Sequence, residues 1–314
     1  MKNLSLEKVT TGKALNNMNS DISNISLDEK TFKLFSDFIY KNTGIVMKNQ
    51  KATLLSNRLR KRLRILNLES FESYWMYLKK AENYKTEISF FLDAVSTNET
   101  YFQRGTSHYV ILNNYILPEL CKNINSTIRI WSAGCSTGEE PYDLAIVLEE
   151  FMEKRKTRIH YKITATDIST EVLETAKRGM YADRKISKLN NYLKGKYFNK
   201  ISSENSPIPF AKETLEAKDI LKKNIKFMSH NLMIDAYPQE MDIIVCRNVM
   251  IYFDNETQHE IVRKFAKSLN KNGYLFIGHS ETLRIIESDL ASIRYLEGTI
   301  YKNSKSNEIT SEIK

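Results

Sequence analysis

Two short segments in the middle of the chain combine glycines and acids in an order that can hold a ligand. Residues 132–141, SAGCSTGEEP, follow a β-rich run and contain Gly134 and Gly138, which let the backbone approach a ligand closely. The segment lacks the GxGxxG spacing of dinucleotide sites and the GK[ST] of a P-loop, and Glu139 and Glu140 would repel a phosphate at the start of a helix. A phosphate ligand is therefore disfavoured. Taken alone, the segment fits equally well a glycine turn before a helix whose acidic first turn suits the helix dipole.

The second segment ends at Asp167, the last residue of the β-rich run YKITATD. A carboxylate at this place can accept hydrogen bonds from both ribose hydroxyls of an adenosine, although by itself it could equally cap the next helix. An acidic loop and a ribose acid without a phosphate cradle favour a nucleoside that carries a cationic sulfonium and an amino-acid tail. S-adenosyl-L-methionine has that structure, so the two segments together predict a methyltransferase that uses it.

The scaffold that must position these residues is visible as an alternation of β-rich and helical runs. The β-rich runs are TIRIWSA, YKITATD, IKFMS, MDIIVC and GYLFIGH, and the helical stretches between them include EPYDLAIVLEEFMEK and NETQHEIVRKFAKSLN. This alternation predicts a parallel sheet with helices on both faces, whose ligands bind at the carboxyl ends of the strands. A polar interval at residues 185–228, which includes SSENSPIP, interrupts the alternation and is predicted to be a small β insertion.

The N-terminal part of the chain has a purely helical rhythm. Residues 26–29, SLDE, have the form of a capping box, so a helix should begin there and should end at Gly44. A second helix has leucines along one stripe and basic residues over the rest of its surface, namely Lys51, Arg58, Arg60, Lys61, Arg62 and Arg64. No acid lies among them, which favours docking to an acidic partner over a merely solvated face. The predicted organisation is a tail at 1–27, a helical domain at 28–96, an α/β domain at 97–303 and a tail at 304–314.

Composition narrows the class of protein. Of 314 residues, 41% are hydrophobic and 27% are charged, and neither a membrane-spanning run nor a secretory signal is apparent, so we expect a cytoplasmic protein without membrane insertion. The three cysteines are too scattered for disulfides or a CxxC site, and the five histidines show no ligand spacing, so no metal is expected. The net charge of +9 favours a negatively charged partner, which could be a nucleic acid, a membrane surface or an acidic protein.

Six ordered segments of the sequence resemble one family, the CheR chemotaxis receptor methyltransferases. They are STNETYFQR (96–104), IWSAGCSTGEEPYDLA (130–145), ATDIS (165–169), HNLM (230–233), CRNVMIYF (246–253) and GYLFIGHSE (273–281). CRNVMIYF together with GHSE is specific to the family. The resemblance implies an α/β fold, a Rossmann-like class I S-adenosylmethionine methyltransferase domain with a small β insertion, preceded by an all-α N-terminal domain. It also implies an enzyme, a protein-glutamate O-methyltransferase that releases S-adenosyl-L-homocysteine.

The resemblance also implies roles for particular residues. The cofactor would be bound by residues from five of the six segments, namely Asn98, Thr100, Arg104, Glu140, Asp167, Asn231, Leu232, Cys246, Arg247 and Asn248. Arg104 would hold a carboxylate through its fork of donors, and Tyr252 would line the active site, so these two are the expected catalytic residues. The residues Met250 and Ile251 are expected only to pack. The basic second helix, through Arg58, Lys61 and Arg62, would dock on the acidic face of a receptor helix.

The implied reaction transfers a methyl group to glutamate side chains in the cytoplasmic coiled-coil region of chemoreceptors. A glutamate is ionised at neutral pH, so no general base is needed and positioning should dominate catalysis. The enzyme is expected to act as a cytoplasmic monomer that is recruited to membrane-bound receptors and binds no nucleic acid. SSENSPIP has none of the glycines that some relatives carry in the insertion, which disfavours a receptor-tail peptide site there. The alternatives are an RNA methyltransferase, favoured by the basic charge, and a nonenzymatic cofactor-binding adaptor of the same fold.

Overall fold

The structure is a computed structural model that describes residues 25–122, 127–202, 204, 206–209, 211, 213–278, 281, 290–295 and 298–303. Most of the predicted N-terminal tail, at residues 1–24, and the predicted C-terminal tail, at 304–314, lie outside the described residues. So do His279 and Ser280 of the GHSE motif and two residues of SSENSPIP. The chain divides into two compact units, Met1–Ser96 and Thr97–Lys314.

Four α-helices form the described part of the first unit: α1 (Glu29–Thr43), α2 (Ala52–Leu66), α3 (Phe71–Lys79) and α4 (Ala81–Val95). The predicted capping box at 26–29 is wrong by two residues, because the side chain of Asp28 caps α1 by accepting the Thr31 amide at 2.9 Å. The predicted end of α1 is correct. Gly44 follows α1 in the left-handed conformation, with φ of 71°, and its amide donates to the carbonyl of Tyr40.

The core of the first unit is built from the predicted stripe of α2 and a group of aromatic rings. Leu55, Leu59 and Leu63 are fully buried there. The ring of Phe35 lies 6.1 Å from that of Tyr74 and 5.7 Å from that of Phe91. Burial of each such side chain contributes about 1.5–3 kcal/mol, so the stripe rather than the basic surface holds α2 in place.

The second unit alternates helices and strands. In chain order they are α5 (Thr106–Ile111), α6 (Leu117–Leu120), β1 (Ile128–Ala133), α7 (Glu139–Arg155), β2 (Tyr161–Asp167), α8 (Thr170–Arg178), β3 (Met180–Ala182), α9 (Asp183–Ile186), α10 (Asn191–Tyr197), β4 (Phe198–Ile201), β5 (Thr214–Ala217), α11 (Asp219–Lys222), β6 (Ile225–Ser229), β7 (Met241–Cys246), α12 (Asn255–Ser268), β8 (Leu269–Ile277), β9 (Leu290–Tyr295) and β10 (Gly298–Asn303). Between α5 and α6 the chain widens into a π-helical turn at Leu112–Ile116.

Seven of these strands form one sheet in the order β6-β2-β1-β7-β8-β10-β9. The five strands predicted from the sequence are all present and parallel. The sheet also contains two strands that the sequence did not predict, and β10 pairs antiparallel with both β8 and β9. These two strands owe their conformation to pairing across the sheet rather than to a strong local pattern.

Helices cover both faces of this sheet, as predicted. The side chains of Ile130 and Val245 belong to a core cluster with residues of α5 and α7. Their neighbours in sequence, Trp131 and Cys246, belong to a second cluster with residues of α12. Successive strand residues point to opposite faces, so each buried strand serves both clusters and reads as a continuous apolar run.

The inserted unit is larger than the sequence predicts. It begins at Met180 rather than at residue 185, and it is a three-stranded antiparallel sheet in the order β3-β5-β4. The early strand β3 was missed because its partner β5 lies far along the chain. Edge-to-face packing of Phe102 on Tyr181 and Phe198, with ring centroids 4.8 and 5.5 Å apart, fixes the insertion against the segment that precedes α5.

Candidate active site

The predicted site residues emerge at the carboxyl ends of adjacent strands. In the sheet, β1 lies between β2 and β7, and β6 flanks β2. The strand ends are level, because Ala133 pairs with Thr166 and Asp167 pairs with Ser229. The loops that follow these four strands are therefore brought to one edge of the sheet, where ligands bind in folds of this kind.

The glycine loop after β1 is held by close packing. The amides of Gly134 and Cys135 both donate to the carbonyl of Thr166 at 2.8 Å. Gly134 has φ of 85°, and a Cβ there would lie 2.4 Å from Cγ2 of Val249. The sequence suggested that glycine serves the approach of a ligand. The structure adds that a side chain at this position would clash with Val249 even when no ligand is bound.

Asp167 lies buried at the end of β2 and organises the neighbouring loops. One carboxylate oxygen accepts the amide of Ser136 at 2.8 Å, and the other accepts the amide of Ser169 at 3.0 Å. The alternative that Asp167 is a simple helix cap is wrong, because Ser169 is the residue that caps α8. The carboxylate thus lies at the strand end where the ribose hydroxyls are expected, and it is joined there to the glycine loop and to the start of α8.

Glu140 on α7 and Arg247 after β7 form a buried pair in the site. The two Glu140 oxygens accept from the Ser132 hydroxyl at 2.7 Å and from Arg247 at 3.4 Å. Burial raises the pKa of Glu140, while Arg247 and the Ser132 hydrogen bond oppose the rise. A buried acid with incomplete compensation is suited to bind a cationic group, such as the ammonium of the cofactor's amino-acid end.

The side chain of Arg247 lies at the end of β7 and is buried. Its guanidinium donates to the Arg104 carbonyl and to the Tyr109 hydroxyl, the latter at 3.4 Å. Burial lowers its pKa, but Tyr109 and Glu140 outweigh that effect and the pKa is raised, so Arg247 stays charged. Its buried Nε has no hydrogen-bond acceptor within the described part of the chain. This N–H can donate a hydrogen bond to the carboxylate of the cofactor.

The segment that precedes α5 contributes Asn98, Thr100 and Arg104. The carbonyl of Asn98 accepts the Ser136 hydroxyl at 3.0 Å, which joins the segment to the glycine loop. Thr100 is buried, and its carbonyl accepts the Lys185 ammonium. Arg104 donates to the carbonyl of Glu99 at 2.7 Å, and its charge acts to lower the pKa of Glu140. Arg104 is thus close to Glu140.

Asn231 and Leu232 follow β6 beside Asp167. The amide of His230 donates to the Asp167 carbonyl at 3.0 Å, which ties this loop to the expected ribose site. The Asn231 side chain accepts the amide of Met233 at 3.0 Å, and the Leu232 carbonyl accepts the Tyr237 hydroxyl at 2.8 Å. These bonds hold the loop beside Asp167.

After β7 the chain turns sharply through Asn248 to Tyr252. Asn248 adopts the left-handed conformation, with φ of 61°, and the Tyr252 hydroxyl donates to the Thr97 carbonyl at 3.4 Å. Cys246 is fully buried, and burial raises the pKa of its thiol, so it is neutral. Met250 packs in the core as expected. Ile251 does not, because its side chain is 55% exposed in a 3₁₀ turn.

Sequence reasoning missed the part that Glu281 plays in this turn. One carboxylate oxygen accepts the amides of Asn248 at 2.9 Å and Gly278 at 2.6 Å, and the other accepts the amide of Ile251 at 3.2 Å. The GHSE motif contains this acid, but its spacing from Asn248 gives no sign of the contact.

In the first unit, two of the three expected docking residues bond to groups of the unit itself. Arg58 donates to the carbonyls of Ala94, Val95 and Ser96, at 3.2, 3.2 and 2.6 Å, and so caps the C-terminus of α4. Arg62 forms a bidentate pair with the buried Glu87 at 2.9 and 2.6 Å. Both guanidinium groups are engaged within the unit, whereas Lys61 is exposed. The spacing of charges along a helix cannot reveal such partners.

Comparisons with known proteins match both units. Residues 30–96 match the family model for the CheR methyltransferase all-alpha domain, and residues 98–297 match that for the CheR methyltransferase SAM binding domain. The chain belongs to the CheR methyltransferase family. The expected fold class, an S-adenosylmethionine methyltransferase domain after an all-α domain, is confirmed, and so is the cofactor.

Curated CheR relatives agree over most of their length. The chemotaxis protein methyltransferase of Borreliella burgdorferi is 40% identical, over 85% of this chain and 93% of the relative. That of Salmonella typhimurium is 36% identical, over 90% of this chain and 92% of the relative. A solved magnesium protoporphyrin IX methyltransferase from Synechocystis is 10% identical, with a TM-score of 0.33 over 72% of this chain and 91% of that one. The predicted activity, S-adenosylmethionine-dependent methylation in chemotaxis, is confirmed by the CheR relatives.

Among the described residues, no group of three or more histidine, cysteine or acidic side chains is placed to hold a metal ion. No helix in the described ranges has the length and apolar character needed to cross a bilayer.

Proposed function

We propose that this chain transfers the methyl group of S-adenosyl-L-methionine to glutamate side chains in the cytoplasmic coiled-coil region of chemoreceptors, as a cytoplasmic monomer recruited to membrane-bound receptors. The observation that carries the proposal is the composition of the site edge. It contains carboxylates for the cofactor and the cations Arg104 and Arg247 for an anionic acceptor. Such a site suits an acceptor that is already an anion.

Different residues of the chain bind the two ends of the cofactor. Asp167 binds the ribose hydroxyls, and Asn231 and Leu232 flank the adenine. Glu140 binds the ammonium, and Arg247 with Asn248 faces the carboxylate end. Asn98, Thr100 and Cys246 complete the wall through their backbone. The cofactor supplies an activated methyl group bound to a sulfonium.

The residues Arg104 and Tyr252 orient the acceptor carboxylate. Arg104 has further N–H donors beyond the one bonded to the Glu99 carbonyl, and Tyr252 lies in the turn after β7. A clamp that bound the carboxylate too tightly would stabilise the ground state, so we expect orientation rather than a strong ion pair. The exposed basic face of α2 guides the acidic receptor helix to the enzyme.

Incubation with methyl-labelled S-adenosyl-L-methionine and receptor-enriched membranes tests the proposal. We expect label on the receptors that mild alkali releases as methanol, since esters hydrolyse under conditions that amides and ethers survive. Receptors whose methylated glutamates are replaced by alanine are the control and should stay unlabelled. Label on RNA would contradict the proposal in favour of an RNA methyltransferase, and cofactor binding without any transfer would favour an adaptor.

A further inference from the structure

Asp143 is a fully buried acid on α7 that has no part in the roles assigned above. Its carboxylate accepts the backbone amide of Gln103 at 2.6 Å and the side-chain amide of the same residue at 2.8 Å. The Tyr109 hydroxyl is a third hydrogen-bond partner. Two of the three bonds therefore go to a single residue, the one that precedes Arg104.

Gln103 needs such support because its backbone is in a disfavoured conformation. Its φ is 59°, in the left-handed region that residues with a Cβ rarely adopt. The turn lies between Phe102, which is buried against the inserted sheet, and Arg104. A change of φ at Gln103 would rotate everything that follows, so the direction of the Arg104 side chain depends on this turn.

The second residue of the turn, Arg104, is held by Arg247, which follows β7. The carbonyl of Arg104 accepts from the Arg247 guanidinium, which also contacts Tyr109 and Glu140. Asp143 thus holds residue 103, and Arg247 holds residue 104. Burial raises the pKa of Asp143 to about 7, against the pull of the Gln103 hydrogen bonds. An apolar residue in place of Asp143 would avoid the free-energy cost of burying an acid, but it would leave the Gln103 amide without a hydrogen-bond acceptor.

We propose that Asp143 is a positioning residue that holds Gln103 in the left-handed turn and thereby sets Arg104 in place for the cofactor and the acceptor carboxylate. The proposal rests on the function proposed above, because it presumes the role of Arg104. It assigns to the Asp143–Gln103 pair no contact with either substrate.

The test measures the dissociation constant of S-adenosyl-L-homocysteine by calorimetry and the methylation kinetics of the full chain. We expect Asp143→Ala to weaken binding about tenfold and to lower kcat, since it removes a buried acceptor of two hydrogen bonds. Asp143→Asn should retain most of the affinity, because its amide can accept the Gln103 backbone N–H and donate to the flipped Gln103 side chain. Adding Gln103→Gly to Asp143→Ala should restore binding, since glycine adopts positive φ without strain.

A second pair of variants keeps the test independent of whether Asp143→Ala folds. Gln103→Val should weaken binding as Asp143→Ala does, because a β-branched residue resists positive φ. Lys156→Val is the matched control: Lys156 follows α7 with φ of 52° and is exposed, so the change should reduce stability and spare cofactor binding.

The outcomes separate this proposal from the role of Arg104. Wild-type binding and kinetics in both Asp143→Ala and Gln103→Val would overturn the positioning role. A loss in Asp143→Ala that Gln103→Gly does not rescue would also overturn it, since the defect would then be one of general packing. If Arg104→Ala leaves binding and kcat unchanged, the assigned role of Arg104 fails instead.

Discussion

At the scale of single residues, one carboxylate can determine the path of a whole loop. Glu281 gathers three backbone amides from two separate stretches, the end of β8 and the turn after β7. Hydrogen bonds to an ionised group are stronger than neutral ones, so this acid fixes the turn that leads from Asn248 to Tyr252.

We expect Glu281→Gln to lower kcat on the order of tenfold and Glu281→Ala to lower it further, because the amide keeps one acceptor oxygen and alanine keeps none. Methylation kinetics with receptor measure the effect. Glu256→Gln, an exposed substitution of the same kind in the first turn of α12, is the control. Equal kinetics in the two glutamine variants would refute a role for Glu281 in shaping the turn.

Asp143 also makes the stability of the protein depend on pH. Its pKa rises from 3.8 to about 7 in the folded state, so the folded chain binds this proton more tightly than the unfolded chain does. The contribution to the free energy of unfolding is therefore fully present below about pH 4 and is lost as the pH rises to about 7. Urea unfolding of the wild type and of Asp143→Asn across this range should show a difference that declines with pH. A constant difference would contradict the assignment.

At the scale of elements, α2 separates two tasks by its faces. One face carries the buried leucines, and its edges carry Arg58 and Arg62, which bond within the unit. The remaining face exposes Leu54, Lys61 and Ile65. Leu54, Lys61 and Ile65 have the spacing of a seam that faces a partner helix, with a positive charge between two apolar side chains.

We expect Lys61→Glu with Arg64→Glu to raise the KM for receptor about tenfold without changing cofactor affinity, because charge reversal opposes an acidic partner. Lys30→Glu with Lys33→Glu, on exposed positions of α1, is the matched control for net charge. Equal rises in KM in the two double variants would mean that overall charge, not this face, matters. Arg58→Glu and Arg62→Glu should instead lower the melting temperature. The first change leaves the carbonyls at the end of α4 without their donor, and the second leaves the buried Glu87 without its cation.

At the scale of the whole molecule, what the sequence predicts follows the range of the interactions. The five parallel strands and the stripe of α2 were predictable because each has a local pattern, a short β-rich run in the strands and a helical period in α2. Strands β3 and β10 were not, because they pair with residues distant in sequence, and β9 joins the sheet only through β10. The same reason hides the bonds from Arg58 to the end of α4 and from Gln103 to Asp143. The site was predictable as a set of strand ends and motifs, but not as a network of buried partners.

The inserted sheet has a consequence for how the family can diversify. The Tyr181 hydroxyl in β3 donates to the Thr137 carbonyl at 2.8 Å, and it lies 2.9 Å from where a Cβ on Gly138 would be. The insertion thus packs directly against the glycine loop, and it cannot be exchanged without affecting that loop. A chimaera that exchanged it for the insertion of a relative would inherit new recognition only if it kept this tyrosine and this glycine together, so the two positions should be inherited as a pair.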